Sequence, residues 1–590
     1  MNNNVLLATI LSVAIFLGFQ FLYVKPHQQT LHAQKVAEHL VSKVDKALPE
    51  KKAASALSLR DRAVILKENP RVLIDTPELS GSINLKGARF DDLSLPSYRE
   101  TVDKDSPVIT LLSPSGSDAP HRAYFAEFSW LADSISIGVP TSDTVWKADG
   151  TKLTPDHSVR LTWENGQGTA FERIIAVDDR AMFTITDRVI NRSSAPVTLY
   201  PFGVVARQGF PELHGRSSVV LEGALGVLNG TLEEYKYKKI LDTKKVVRES
   251  KGGWLGITDK YWLVSMIPPQ EDKLVGEFIY NQGGADTPDH GFFQADFRSN
   301  PVTVVPGGSV ERVSHLFAGA KRVSVLDDYA DKFNIPHFDR AIDFGWYYFL
   351  TRPFLYLLTA MEHAVGNMGL AILLFTVMLK LATLPLSQKS YHSMSRMKTI
   401  QPELKRIQER FAEDKVRQSQ EMMDLYKREK VNPMSGCVPT LIQIPIFFAL
   451  YKVLYVNIEM RGAPFYGWIR DMSVPDPTSW FNIFGLAPWG IIDQIHVNLG
   501  LFSVYFPPAL QIGAWPILMG ISMFMQQNLS PKPPDKSQAR VLMFMPIFFT
   551  YLLSSMPAGL VVYWTWSNLL GLLQQWYIMG RDLKRKPKAA

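Results

Sequence analysis

Cysteine is almost absent: Cys437 stands alone in 590 residues. One thiol excludes an intramolecular disulfide framework and a cysteine-rich metal site, and leaves the compartment open. Catalytic signatures are missing too. The chain contains no H-E-x-x-H, no P-loop, no G-x-G-x-x-G and no G-x-S-x-G, and its 12 His are scattered. Nothing points to an enzyme, a cofactor or a metal. A third lack is regional, since no window from Lys25 to about Arg340 can span a membrane. What remains is 46% apolar and 20% charged, with 11% aromatic residues and a net charge of +7. That composition excludes a disordered or collagen-like chain. Mean hydropathy is −0.02, an average that conceals a division along the chain.

Val5–Val24 is an uncharged run of 20 residues. As helix it would measure about 30 Å, enough to cross the hydrocarbon core. A cleaved signal peptide is the alternative, but no Lys or Arg precedes the run and Leu31-His32-Ala33 is a poor cleavage site. A polar, Ala-rich linker follows over 25–66. From 67 to 336 the texture is β. Short β-branched and aromatic runs recur at Val72–Asp75, Ser82–Leu85, Ala123–Phe128, Phe183–Val189, Val197–Val205 and Val302–Val305. Turn signals separate them, among them Glu164-Asn165-Gly166, Gly252-Gly253, Gly283-Gly284 and Pro306-Gly307-Gly308. The pattern predicts one large antiparallel all-β sandwich.

Within 337–363, the stretch Phe344–Met361 is apolar but broken by Arg352 and Pro353, and rich in Trp and Tyr. That suits an amphipathic helix lying at the bilayer interface. A core over 364–580 carries the spans Met368–Ser387, Val438–Val456 and Leu510–Leu529. Val541–Met579 then runs 39 residues without a charge. As one helix it would be about 58 Å long, and Pro557-Ala558-Gly559 divides it into two spans. With the first, six spans are predicted, making a polytopic α-helical membrane protein with a large outside sandwich.

Charge orients it. The segment 388–435 carries 11 Lys and Arg against 7 acids, 530–540 carries 3 against 1, and 580–590 carries 5 against 1. The loop 457–514 has only Arg461 and Arg470 against 4 acids. The positive-inside rule puts the first three in the cytoplasm, with both termini, and the sandwich outside, which in a double-membrane bacterium is the periplasm.

Lys380 is the one ionisable residue well inside a predicted span. Such a cation faces a wet cavity or a partner, or else snorkels to the cytoplasmic edge about 10 Å away. Thr376, one turn before it, Gln443 and the group Tyr563, Trp564, Ser567 and Asn568 are candidate polar company, or plain helix–helix hydrogen bonds. In the cytoplasmic segment Tyr391, Met394, Met397, Ile400, Leu404, Ile407 and Phe411 make one stripe, and Asp414 is placed to cap a second helix, giving a helical hairpin. Met394, Met397, Met422 and Met423 either pack the hairpin or offer a pliable surface to apolar sequences. Its basic face, with the basic tail 581–590, suits lipid headgroups or ribosomal RNA.

These residues resemble the YidC-type membrane-protein insertase family. The resemblance rests on Val365-Gly366-Asn367-x-Gly369, Gln420-Glu-Met-Met-x-Leu-Tyr-Lys427, Lys430-Val-Asn-Pro433 and Gly436-Cys-x-Pro-x-Leu-Ile-Gln-x-Pro-Ile-Phe447. Trp515-Pro-Ile-Leu-Met-Gly520, Met545-Pro-Ile-Phe548, Pro557-Ala-Gly-Leu-Val-x-Tyr563 and Ser567-Asn568 add to it. It is dense from about 343 to 581 and looser over the sandwich. It implies an insertase and chaperone of the inner membrane that works alone or with the Sec translocon and its accessory subunits. It further implies a cytoplasm-open substrate groove holding Lys380, Thr376, Gln443, Tyr563 and Trp564. Implied partners are nascent membrane proteins, membrane lipids, and the ribosome and signal recognition particle pathway through the hairpin and tail. Many bacterial members carry Arg at the position of Lys380; Lys keeps the charge without the planar fork. The rival reading is a transporter or channel with an intramembrane cation site. A third makes the sandwich an enzyme or sugar-binding module with the spans as its anchor.

Overall fold

The structure, a computed structural model, describes residues 59–584 except 135–136, 212–219, 283–289, 430, 432–437, 486–494, 499–502, 507–511 and 531–535. The first predicted span, most of the linker, the Gly283-Gly284 turn, Cys437 and the end of the basic tail lie outside the described residues. The chain divides into one compact unit ending at Asp343 and another beginning at Phe344.

The first unit is a β-sandwich. Seven strands carry its frame: β1 (Val108–Leu112), β2 (Tyr124–Ala132), β3 (Thr169–Val177), β4 (Met182–Asn191), β5 (Val197–Gln208), β6 (Phe292–Ser299) and β7 (Ser309–Ala320). In an eleven-stranded sheet, β5 lies between β2 and β6. In a nine-stranded sheet, β4 lies between β3 and β7. These pairings are antiparallel, as predicted. Side chains alternate faces along a strand, so β3 sends Phe171, Ile175 and Val177 into the core and leaves Glu172 and Ile174 partly exposed. The sheets meet through aromatic pairs: Phe90 stands edge-on to Phe183 at 5.1 Å and Tyr235 lies 5.2 Å from Phe278. Each predicted strand falls on an observed one. The ends move where a partner continues the ladder, as at Leu131 and Ala132, which pair with Tyr200 and Leu199 beyond the predicted end at Phe128. In the turn after Glu164, the amides of Gln167 and Thr169 donate to the Asn165 side chain. A helix α1 (Val323–Lys332) closes the unit, with fully buried Tyr329 donating to Asp178.

The second unit is helical: α2 (Tyr348–Val365), α3 (Met368–Ala382), α4 (Leu384–Arg410), α5 (Lys415–Arg428), α6 (Val438–Val456), α7 (Ala514–Leu529), α8 (Lys536–Leu553) and α9 (Ala558–Lys584). Helix α2 is two-faced. It buries Phe354, Leu355 and Leu358, while Phe349 is 74% exposed and Trp346 just before it 84%. Gly366 ends α2 in the left-handed region (φ +68°), which favours glycine, and Asn367 caps α3 by accepting from the Leu370 amide at 3.0 Å. Local capping thus accounts for part of the Val365-Gly366-Asn367 motif.

The predicted span Met368–Ser387 is not one helix. It stops at Ala382, and after Thr383 the chain bends by 65° into α4. The Thr383 hydroxyl donates to the Leu379 carbonyl, and Pro385 in the first turn of α4 has no N–H with which to continue α3. Among the described residues no single helix is long and apolar enough to cross a membrane, while the bent pair α3–α4 is so by length and composition taken together. The division at Pro557 is as predicted. Helix α9 starts at Ala558, whose amide donates to Val474, and the next amide, from Gly559, donates to Met472. Helix α7 begins later than the predicted Leu510, because Asp476 and Thr478 accept from the amides of Trp515 and Ala514 and fix its first turn. Pro516 therefore sits in the first turn, where its missing N–H costs nothing. In the hairpin, Asp414 caps α5 by accepting from the Arg417 amide at 2.9 Å. Ile400, Leu404, Leu425 and Val431 form the hairpin's core.

Candidate functional site around Lys380

Thr376, Lys380 and Thr383 recur along α3 and its end at steps of four and three, which places them on one face. Helix α6 adds Gln443, and α9 adds Tyr563 and Ser567. Together they line a small cavity of about 10 Å³, closed on its apolar side by Leu379 and Ile446. That is room for roughly one water. The Gln443 Nε2 donates to the Tyr563 hydroxyl at 2.7 Å, and buried Thr376 turns its hydroxyl back onto the Ile372 carbonyl at 2.6 Å. Among the described residues, no charged group acts on Lys380.

The polar surface continues past the cavity. Tyr563, Ser567, Gly571 and Gln575 follow at steps of four on α9, a stripe about 18 Å long. A Cβ on Gly571 would lie 2.9 Å from the Gln526 Nε2 and 3.8 Å from the Lys380 Nζ. Gly571 thus leaves open the point where an amide of α7 and the ammonium of α3 converge. On either side, Asn568 donates to Ser522 at 3.2 Å and buried Gln575 donates to Ser530 at 3.4 Å.

Of the residues singled out in the sequence, Lys380, Thr376, Gln443, Tyr563 and Ser567 therefore converge. Trp564 does not line the cavity. Its ring packs on Phe447 at 4.4 Å and Phe549 at 5.3 Å, on the neighbouring face of α9. Sequence reasoning missed Thr383, Gln526, Gly571 and Gln575; for Gly571 and Gln575 the four-residue step running on from Tyr563 was the available signal. The hairpin methionines separate as well. Met394 is buried with Tyr391 against Ile578 of α9. Met397 and Met422 pack on the hairpin core. Met423 is 46% exposed and is the one of the four that faces outward.

The site offers one cation, the Gln443 and Gln526 carboxamides and the hydroxyls of Thr376, Thr383, Tyr563 and Ser567, drawn from four helices. Such groups can hold a polar stretch by charge and hydrogen bonds; no nucleophile–base pair stands among them. Among the described residues no group of three His, Cys, Asp or Glu could hold a metal ion.

Two family models match the chain: "YidC periplasmic domain" over residues 71–357 and "60Kd inner membrane protein" over 360–586. A "Membrane protein insertase YidC" from Beijerinckia indica subsp. indica is 46% identical over 599 residues, covering 98% of this chain and 96% of that one. One of the same description from Brucella suis biovar 1 is 47% identical over 555 residues, covering 91% and 87%. Among solved structures, "Active YidC insertase crystal structure with the first transmembrane domain resolved" aligns with 92% of this chain and 99% of its own. Identity there is 15% and the TM-score 0.35, too low to bear on the fold. Identity near one half over almost the full length of both chains is decisive: this protein belongs to the YidC family of membrane protein insertases.

Proposed function

We propose that this chain inserts nascent proteins into the bacterial inner membrane and assists their folding there, with Lys380 as the residue that receives their hydrophilic segments. The observation that carries the reading is the placement of Lys380 beside Thr376, Gln443 and Tyr563 in a largely apolar helical unit, with no charged group acting on it among the described residues. A cation kept there without a counter-ion is costly to insert, and it attracts acidic or polar stretches entering from water. The cavity in this structure is too small for a peptide, so α3, α6 and α9 separate when a substrate enters the groove.

In this reading the chain crosses the membrane six times, with both termini in the cytoplasm and the sandwich in the periplasm. The uneven basic charge of the connections supports that orientation. Helix α2 lies at the interface, where exposed Trp346 and Phe349 meet lipid. The hairpin and basic tail face the ribosome and the signal recognition particle pathway, and the Sec translocon is a lateral partner. No covalent chemistry is needed.

The test is replacement of the native copy by Lys380→Glu, Lys380→Ala or Lys380→Arg, followed by insertion of a single-span substrate with an acidic outside segment. Lys380→Arg keeps insertion and Lys380→Glu abolishes it, with protein levels unchanged. Normal insertion by both Lys380→Ala and Lys380→Glu would overturn the role of Lys380.

A further inference from the structure

We propose that the sandwich carries a binding site for a small hydroxylated organic anion, in a cavity where the ends of β1 and β5 meet the start of β2. The cavity measures about 250 Å³. Pockets for drug-sized ligands begin at about 300 Å³, so this one suits a compact molecule of the size of a phosphorylated triose.

Its walls specify the chemistry. His121, Arg122 and Arg207 line it, and among the described residues no Asp or Glu does. Arg207 is held in advance of any ligand. Its Nη1 donates to both Asp259 oxygens, at 2.6 and 2.7 Å, and its guanidinium lies 4.8 Å from the Tyr124 ring centre. Asp259 is itself tied down, since the buried Lys321 ammonium donates to its carbonyl at 2.7 Å. An immobilised guanidinium needs little further ordering when an anion arrives. Buried ion pairs are weak contributors to stability, so the fold alone gives little reason for one at a cavity wall.

The remaining contacts narrow the class. Gln208 donates its Nε2 to the His290 carbonyl at 3.2 Å, but its Oε1 is buried with no hydrogen-bond partner among the described residues. A buried acceptor left unmade is costly, and what satisfies it is an O–H or N–H donor. Leu111 and the 36%-exposed Phe210 give apolar wall for a short carbon frame. A phosphate or carboxylate on a hydroxylated carbon chain meets all three demands. Two sources share that chemistry: a free phosphorylated polyol and the glycerophosphoryl headgroup of an anionic lipid.

The test is calorimetric titration of the full-length chain, in phosphatidylcholine nanodiscs, with sn-glycerol 3-phosphate. Glycerol 3-phosphate binds at least tenfold more tightly than glycerol. Arg122→Gln and His121→Ala, which leave the Arg207–Asp259 pair intact, each weaken it at least tenfold without changing the melting temperature. Exchanging the nanodisc lipid for phosphatidylglycerol then separates the sources: weakened titration by competition assigns the headgroup, and an unchanged one assigns a free ligand. Equal binding of glycerol and glycerol 3-phosphate, or unaltered affinity in both variants, overturns the proposal. Neither result touches the role of Lys380, which is read from insertion.

Discussion

Gln443 and Tyr563, 120 residues apart in sequence, close one wall of the Lys380 cavity with a single hydrogen bond of 2.7 Å from Nε2 to the phenol oxygen. The contact ties α6 to α9 at the level of the ammonium. Interhelical hydrogen bonds of this kind are worth about 0.6 kcal/mol on average and about 1.7 at most. Such a bond is strong enough to hold a closed cavity and, under the proposed function, weak enough to open for substrate. Tyr563→Phe and Gln443→Leu should therefore each loosen the α6–α9 contact by about that amount. In a double-mutant cycle on unfolding in micelles, the double variant should lose less than the sum of the singles. Strict additivity would show that the bond does not couple the helices.

At Gly520 of α7, helix α8 packs closely. A Cβ there would lie 2.0 Å from the Thr550 hydroxyl, a distance at which something must move. Thr550 is held in place by donating to the Pro546 carbonyl at 2.8 Å. Gly520→Ala should destabilise the helical unit by about 1–3 kcal/mol, the usual range for overpacking. Thr550→Ala removes the colliding atom, so Gly520→Ala with Thr550→Ala should recover most of the loss. No recovery in denaturant unfolding would place the strain elsewhere.

Strand and helix positions were legible in the sequence because each depends on local chemistry. Runs of β-branched and aromatic residues located β2, β4 and β5, Asp414 announced the start of α5, and Pro557 marked the break between α8 and α9. Lys380, Thr376 and Gln443 were legible because polar groups are rare in apolar runs. What escaped depends on partners distant in sequence. Nothing near Gly571 says that Lys380 and Gln526 meet beside it. Nothing near Met394 says that Ile578 covers it. Trp564 was grouped with Tyr563 as polar company on the last span, but neighbours on a helix point about 100° apart, and of the two only Tyr563 faces the cavity. The bend at Thr383 was signalled by Pro385, yet its angle follows from packing.

Inside the sandwich, Arg173 sits at a core position of β3 with no exposed side-chain surface, paired with Asp187 of β4 at 2.7 and 3.1 Å. Its guanidinium lies 5.3 Å from the Trp146 ring centre. Breaking a buried pair by removing one partner typically costs about 3–5 kcal/mol, because the other charge stays buried, whereas an apolar replacement of both is often neutral. Arg173→Met should therefore lower sandwich stability by about that amount. Arg173→Met with Asp187→Leu should come within about 1 kcal/mol of the parent. Hydrogen exchange of β3 and β4 amides in the full-length chain reads both; a double variant as unstable as the single would contradict the argument.

His315 of β7 makes the sandwich sensitive to acid. Its ring lies 4.3 Å from that of Phe333 and 3.2 Å from the Thr184 hydroxyl. Burial, aided by the nearby Lys332 charge and opposed by a backbone hydrogen bond at Phe183, pushes its pKa down to about 4. In the unfolded chain a histidine titrates near 6.5. As pH falls, the unfolded chain therefore takes up the proton first. The contribution of neutral His315 is complete above about pH 6.5 and is lost progressively down to about pH 4. A shift of this size corresponds to at most about 3 kcal/mol, reduced by the partial exposure of the ring. His315→Gln keeps a polar group facing Thr184 but cannot titrate. Between pH 6.5 and 4, exchange of the β4 and β7 amides should accelerate less in His315→Gln than in the parent, with the two converging in slope above that window. Identical acid dependence in parent and variant would remove His315 from the account and shift the sensitivity to the carboxylates.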